Sequence, residues 1–342
     1  MNRITGLDFA RVLMTLGIVF YHFACFSSAG LSFFNVYANG VWGGTYNAAF
    51  FALSGFCLYN KYGQAKYRIG DFYYKRWKTV VFPYALIFLF AYLNTVAATG
   101  RFFYLDIPKW YLAFSFLGLD GYVQWFHNTY FITGVWFIGA ILIVYLLYPV
   151  LNWVFSKLGI VTVVILFVLY ELLRIKHSSE IPIDINPIVC LTSFSVGMVL
   201  SKTKKYLFSK VTFIVSAVLS ALLIFVPVFG SHNTKEMVLG WILFVLFSNI
   251  GHLIKADRIN AVITALSRVS YLVILIHLPI IHKMLIGWDS PSISKASVIL
   301  TGLTGILFLL AFAINEVLKG IYASKAFKWL DGKFAGASPK SK

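Results

Sequence analysis

"LDFARVLMTLGIVFYHF", residues 7–23, is apolar enough to enter a bilayer, yet it carries Asp8 and Arg11 near its start and His22 near its end. Ionisable side chains inside a membrane are costly, and they usually face a protein interior or a watery cavity where they carry function. Eleven residues along an α-helix turn through about 1100°, about 20° past three full turns, so Arg11 and His22 share one face. Their axial separation is about 16 Å. One helix thus holds a permanent cation at a membrane edge and a titratable base deep inside.

The composition sets the class. The 342 residues are 60% hydrophobic, 18% aromatic and 12% charged, with a mean hydropathy of +0.81, whereas a soluble domain carries about 25% charged residues. Apolar windows of about 20 residues, the length that spans a bilayer, recur along the chain. The expected fold class is all-α, a polytopic transmembrane helical bundle. About ten spans are expected, near 7–28, 44–60, 79–99, 131–153, 158–174, 187–201, 211–229, 237–253, 267–287 and 296–317. The first span could be mistaken for a signal peptide, but Asp8 and Arg11 interrupt it and further spans follow, so it is expected to be retained. No segment is long and polar enough for a soluble catalytic domain, so any chemistry has to sit within or against the bundle.

The net charge of +17 does not point to nucleic acid, because the lysines and arginines lie in short clusters between apolar spans. Placing the amino terminus in the cytoplasm puts 22 of the 29 Lys and Arg inside and 7 outside, as the positive-inside rule expects. Lys61, Lys66, Arg68, Lys75, Arg76 and Lys78 follow the second span, and Lys202, Lys204, Lys205 and Lys210 follow the sixth. Both termini are therefore expected to be cytoplasmic. Residues 1–322 form the membrane domain, and 323–342, ending "GASPKSK", a basic cytoplasmic tail expected to fray. The outer stretch 100–130 is apolar and aromatic, which suggests an interfacial helix. Cys25, Cys57 and Cys190 have neither metal nor disulfide spacing and are read as buried thiols; no metal is expected.

The placement of Arg11 and His22 suits a long, phosphate-headed substrate such as acyl coenzyme A, with phosphates on arginine and the thioester carried inward to an imidazole able to deprotonate a hydroxyl. The plainer alternative is an Asp8–Arg11 pair at a helix end and a structural histidine.

Five segments in order decide between them. The arginine, ten residues, then histidine of the first span, "FFALSGF" (50–56), "FYYKRWKTVVFP" (72–83), "VWFIGAILIVYLLYP" (135–149) and "VSYLVILIHLP" (269–279) together resemble the acyltransferase-3 family of bacterial integral-membrane O-acyltransferases. One departure stands out. Many members carry a glutamate shortly after the tryptophan of the fourth segment, where this chain has Phe137, Ile138, Gly139, Ala140 and Ile141 after Trp136. The resemblance implies a cytoplasmic acyl-CoA donor, usually acetyl-CoA, and an acceptor hydroxyl on a surface polysaccharide or lipid-linked glycan, in a bacterial cytoplasmic membrane. It carries over His22 as the catalytic base and Arg11 and Arg76 as donor ligands, with Lys75 and Lys78 beside Arg76.

His277 ends "YLVILIH" within the last of these segments, near mid-membrane, and is a second catalytic candidate or else a structural histidine. Ser54-Gly55 lacks the Gly-x-Ser-x-Gly elbow of a nucleophile, so close helix packing is favoured there. Glu171 and Arg174 are expected to form an ion pair. Trp136, Tyr145, Tyr148 and Tyr21 are expected to pack, although a tyrosine hydroxyl could orient an acceptor. The rival reading is a transporter of an anionic lipid-linked glycan, since intramembrane cations and histidines also mark transport paths.

Overall fold

A bilayer offers the backbone no hydrogen-bond partners, so long apolar runs fold as helices that satisfy their own amides. The computed structural model describes residues 3–27, 29–134, 136–176, 180–227, 231–285 and 292–334. Its first elements are α1 (Thr5–Phe26), α2 (Ser32–Asn35), the strands β1 (Val36–Tyr37) and β2 (Gly40–Val41), and α3 (Trp42–Tyr62). Then come α4 (Ile69–Arg76), a π-helical turn (Trp77–Val81), α5 (Phe82–Thr99), α6 (Tyr111–Phe116), α7 (Asp120–Val123), α8 (Phe137–Leu158) and α9 (Ile160–Ile175). After a 3₁₀ turn follow α10 (Pro187–Lys202), α11 (Lys204–Leu207), α12 (Lys210–Phe225), α13 (His232–Leu253), α14 (Asp257–Leu285), α15 (Ile293–Tyr322) and α16 (Lys325–Phe334).

Each expected span falls on one of these helices. Six stretches are long and apolar enough to cross a membrane: α1, Ile69–Thr99, α8, α13, α14 and α15. The other four, α3, α9, α10 and α12, are shorter or richer in polar residues. The span expected at 131–153 starts later, at Phe137, after Gly134 has turned into the left-handed region at φ 64°. Val135, the ends of the expected spans at 28, 228–229 and 286–287, and the tail beyond 334 lie outside the described residues.

Two units are distinguished along the chain: Met1–Asn60 with Leu191–Phe312, and Lys61–Cys190 with Ala313–Lys342. In the first, α1 packs along both α13 and α14. Leu7, Ala10 and Met14 of α1 meet Ala49, Ala52, Leu53 and Phe56 of α3 and Phe244 of α13 in one buried cluster. Small residues let the backbones close. A Cβ on Gly55 would collide with the Phe194 carbonyl, and one on Gly197 with the Ala52 carbonyl. That is the packing role expected for Ser54-Gly55. The β1–β2 hairpin pairs Val36 with Val41 and Tyr37 with Gly40. Buried Glu236 accepts from the Val41 amide at 2.9 Å, and Lys235 donates to the Ala38 carbonyl.

In the second unit, Phe72 of α4 stacks on Tyr148 of α8 at 5.2 Å. The π-helical turn has a local cause. Phe82 N–H reaches back five residues to the Trp77 carbonyl, and the next donor in that pattern would be Pro83, which has no N–H. The orphaned Lys78 carbonyl instead accepts the Tyr322 hydroxyl at 2.7 Å. In the stretch 100–130, α6 and α7 are short helices, and Asp120 is buried with its Oδ1 accepting Ser115 Oγ at 2.6 Å. Burial holds the Asp120 carboxyl above its ordinary range, opposed by hydroxyls of Ser115 and Thr129. Glu171 and Arg174 form the expected ion pair at 2.6 Å.

Two expectations are corrected. Of the cysteines expected to be buried only Cys190 is: Cys57 is half-buried, and Cys25 is exposed because it occupies the last turn of α1, beyond the helix's packed positions. The tail does not fray over 325–334 but forms α16, held by Phe327 and Asp331.

Candidate active site

Arg11 and His22 do share a face, and α14 covers it. Arg11 Nη1 donates to Ser267 Oγ at 3.1 Å, and His277 Nε2 lies 3.0 Å from His22 Nδ1. The contacts advance together along both helices, so α1 and α14 run in the same direction. The Arg11 end is a polar network: Asp8 Oδ1 lies 3.7 Å from Arg11, accepts Ser267 Oγ at 2.8 Å, and the same carboxylate pairs with Arg3. With two cations on Asp8, the cluster keeps a net positive charge. The Arg11 side chain is 33% exposed, and its Nη2 reaches Cys57 Sγ at 3.9 Å.

The other end holds two imidazoles whose protons the hydrogen-bond network assigns. His277 Nδ1 lies 2.7 Å from the Ile274 carbonyl. A carbonyl only accepts, so Nδ1 carries the proton and, in the neutral ring, Nε2 is an acceptor. His22 Nδ1 therefore donates to it, sharing its proton with the Ile18 carbonyl at 3.1 Å. The consequence falls on the far side of the ring. His22 Nε2 is left unprotonated, and among the described residues it has no hydrogen-bond partner. His277 is 1% exposed, while His22 is half-buried. That combination provides an oriented base backed by a fixed second ring. Tyr21 sets its ring edge-on to His22 at 5.0 Å.

The basic stretch of the second unit divides in a way its sequence does not reveal. Lys78 Nζ is committed to Asp331 of α16 at 2.7 Å and sits over the Tyr322 ring at 5.0 Å. Arg76 has no ion pair among the described residues. Its guanidinium lies over the Phe72 and Tyr145 rings at 5.8 and 5.6 Å, and its buried Nε is unpartnered there. Burial, then the adjacent Arg76 charge, lower the pKa of the Lys61 ammonium from its ordinary value. Arg76 and Lys61 thus form a like-charged pair suited to an anion. Lys61 was not singled out from the sequence, where it is one lysine in a basic run. Lys75 is half-buried on the last turn of α4. Tyr148 packs, as expected, while Tyr145 carries the cation–π contact. Trp136 caps the start of α8.

The first unit thus holds an oriented imidazole with an arginine cluster at the other end of its helix, and the second an arginine beside a lysine. The chain matches the family described as acyltransferase domain over residues 4–316. No curated protein and no solved structure matches it. The matched region contains Arg11, His22, Arg76 and His277, and its extent leaves only the chain ends outside: the protein belongs to the acyltransferase-3 family and is a membrane acyltransferase.

Proposed function

We propose that this acyltransferase moves an acetyl group from cytoplasmic acetyl-CoA to a hydroxyl of a cell-surface polysaccharide or lipid-linked glycan, across a bacterial cytoplasmic membrane. The observation that carries the reading is the imidazole pair. His277 Nε2, 3.0 Å from His22 Nδ1, leaves His22 Nε2 as a lone pair turned away from the pair and available as a base.

In the proposed step His22 Nε2 removes the acceptor hydroxyl proton as the oxygen attacks the thioester carbonyl. The C–O bond forms, the C–S bond breaks, and the imidazolium returns its proton to the departing coenzyme A thiolate. His277 acts on His22 rather than on substrate. Arg11 in the first unit is assigned to donor phosphate, supported by its excess positive charge. In the second unit Arg76, with Lys75 and Lys61, is assigned the same chemistry, supported by a guanidinium with no ion pair among the described residues. Lys78 is kept as a weaker candidate because Asp331 already neutralises it.

We further propose ten membrane spans with both termini cytoplasmic, supported by the charge asymmetry and by the common direction of α1 and α14, the first and ninth spans. The test is incubation of the purified protein with acetyl-labelled acetyl-CoA and surface glycans from cells with and without the gene. Label should move to the glycan, with coenzyme A released in equal amount. Label that stays on the donor with every glycan offered removes this reading.

A further inference from the structure

α16, "KAFKWLDGKF", follows the end of α15 after two residues. At about 100° per residue, Phe327, Leu330, Asp331 and Phe334 fall on one side of it, and Lys325, Lys328, Trp329 and Lys333 on the other. The structure fixes which side is inward. Phe327 is 7% exposed and packs its ring on Phe82 at 4.9 Å and on Tyr322 at 5.0 Å. Phe334 stacks on Tyr74 at 5.3 Å, and Asp331 takes both Lys78 and the Tyr74 hydroxyl.

The outward side is therefore purely cationic. Asp331 is the only acid in α16, and Lys78 consumes it. Lys325, Lys328 and Lys333 are exposed with no ion pair among the described residues, and Trp329 stands 64% exposed between them, with Lys333 over its ring at 5.2 Å. An exposed indole among lysines, next to the end of an apolar span, has the amphipathic chemistry of a membrane interface. The lysines extend over about 12 Å of helix, more than one compact anion covers.

We propose that α16 docks on anionic phospholipid headgroups of the leaflet at this end of α15. The inference rests on the membrane reading of the chain and is independent of the acyl-transfer reading. Lys78–Asp331 and Phe327 hold the helix in register, so Lys325, Lys328 and Lys333 present a fixed row of donors to lipid phosphates while Trp329 enters the headgroup layer.

The experiment uses the full chain in lipid nanodiscs of phosphatidylcholine and phosphatidylglycerol, with bromine on the acyl chains of one lipid or the other. The Trp329 part of the emission is the difference between the parent and Trp329→Phe, which separates it from the other eight of the nine tryptophans. Brominated phosphatidylglycerol should quench it more than brominated phosphatidylcholine at equal content, since each lysine near an anionic surface favours such a lipid by about fivefold. The preference should vanish in Lys325→Gln/Lys328→Gln/Lys333→Gln and, in the unaltered chain, on raising the salt to 1 M. Equal quenching by the two lipids, quenching by neither, or a preference that survives both treatments overturns the proposal. Loss of the preference on adding millimolar inorganic phosphate at constant ionic strength also overturns it, as a free-anion site. None of these readings depends on acetyl transfer.

Discussion

His277 Nε2 lies 3.0 Å from Nδ1 of His22, and the proton of His277 Nδ1 is held by the Ile274 carbonyl 2.7 Å away. The direction of this chain decides which nitrogen of His22 is free. Replacing His22 with Ala removes a base whose proton transfer is worth about 10²–10⁴ in rate, so kcat should fall by that order while the protein still inserts. His277→Leu should lower kcat less and leave the KM for acetyl-CoA unchanged. His277→Gln, whose amide oxygen can accept the His22 Nδ1 proton, should recover part of the loss. Steady-state rates of the three variants decide; a Gln variant no better than Leu ends the tautomer argument.

Arg11 combines a side chain one-third exposed with an Asp8 already paired to Arg3. If it binds donor phosphate, its loss removes a charge-assisted hydrogen bond of about 1.5–3 kcal/mol, on the order of tenfold to a hundredfold in Kd. Titration of acetyl-CoA should rank Arg11→Ala weaker than Arg11→Lys, which keeps the charge but loses the planar fork. Arg76→Ala should weaken the donor more than Lys78→Gln, whose chief effect should be on α16. His22→Ala should bind the donor normally. Unchanged affinity in both Arg11 variants leaves Arg11 a structural partner of Asp8.

Gly55 lies against the Phe194 carbonyl. Gly55→Ala should therefore destabilise by the roughly 1–3 kcal/mol typical of overpacking, read as a lower thermal midpoint in detergent. Ser54→Ala should change neither the midpoint nor the transfer rate. A transfer rate abolished by Ser54→Ala in well-folded protein would reinstate the serine as a nucleophile.

Asp120 is buried, with Oδ1 accepting the Ser115 hydroxyl at 2.6 Å. Its pKa is raised by burial, so the fold favours the neutral form: the stabilising contribution is complete below the unfolded value and is lost as pH rises through the folded one. Thermal midpoints of the parent should accordingly rise as pH falls from neutral towards the carboxylate range. In Asp120→Asn that part of the slope should disappear, with the Ser115 hydroxyl still accepted by the amide oxygen. An identical slope in both proteins assigns it elsewhere.

Topology is testable with single cysteines in a chain whose three own cysteines are replaced by serine. Cysteines at Lys66 and Lys204 should be shielded from an impermeant thiol reagent in intact cells, and one at the exposed Asn128 should react. The reverse pattern would invert the assignment and move the arginines to the outer face.

The residues of α1 show how much of the site could be read from the chain. The spacing of Arg11 and His22 announces a shared face, because helical periodicity is local. What that face meets depends on α14, more than 250 residues away, and no local rule pairs them. The basic run at 75–78 gives the opposite lesson. Its cations look equivalent in sequence, but α16 claims Lys78 through Asp331 while Arg76 is left over two aromatic rings.

Composition and periodicity alone determined that this is an all-α membrane protein. Hydropathy and helix formation act over windows of about 20 residues, and they are written wherever the chain is read. Only the tertiary structure decided which protons sit on His22 and His277, that Arg76 has no ion pair among the described residues while Lys78 has one, and that 325–334 form a docked helix rather than fraying. Those outcomes depend on contacts at the ångström scale between segments far apart in the chain, where one hydrogen bond fixes a tautomer and one carboxylate cancels one lysine.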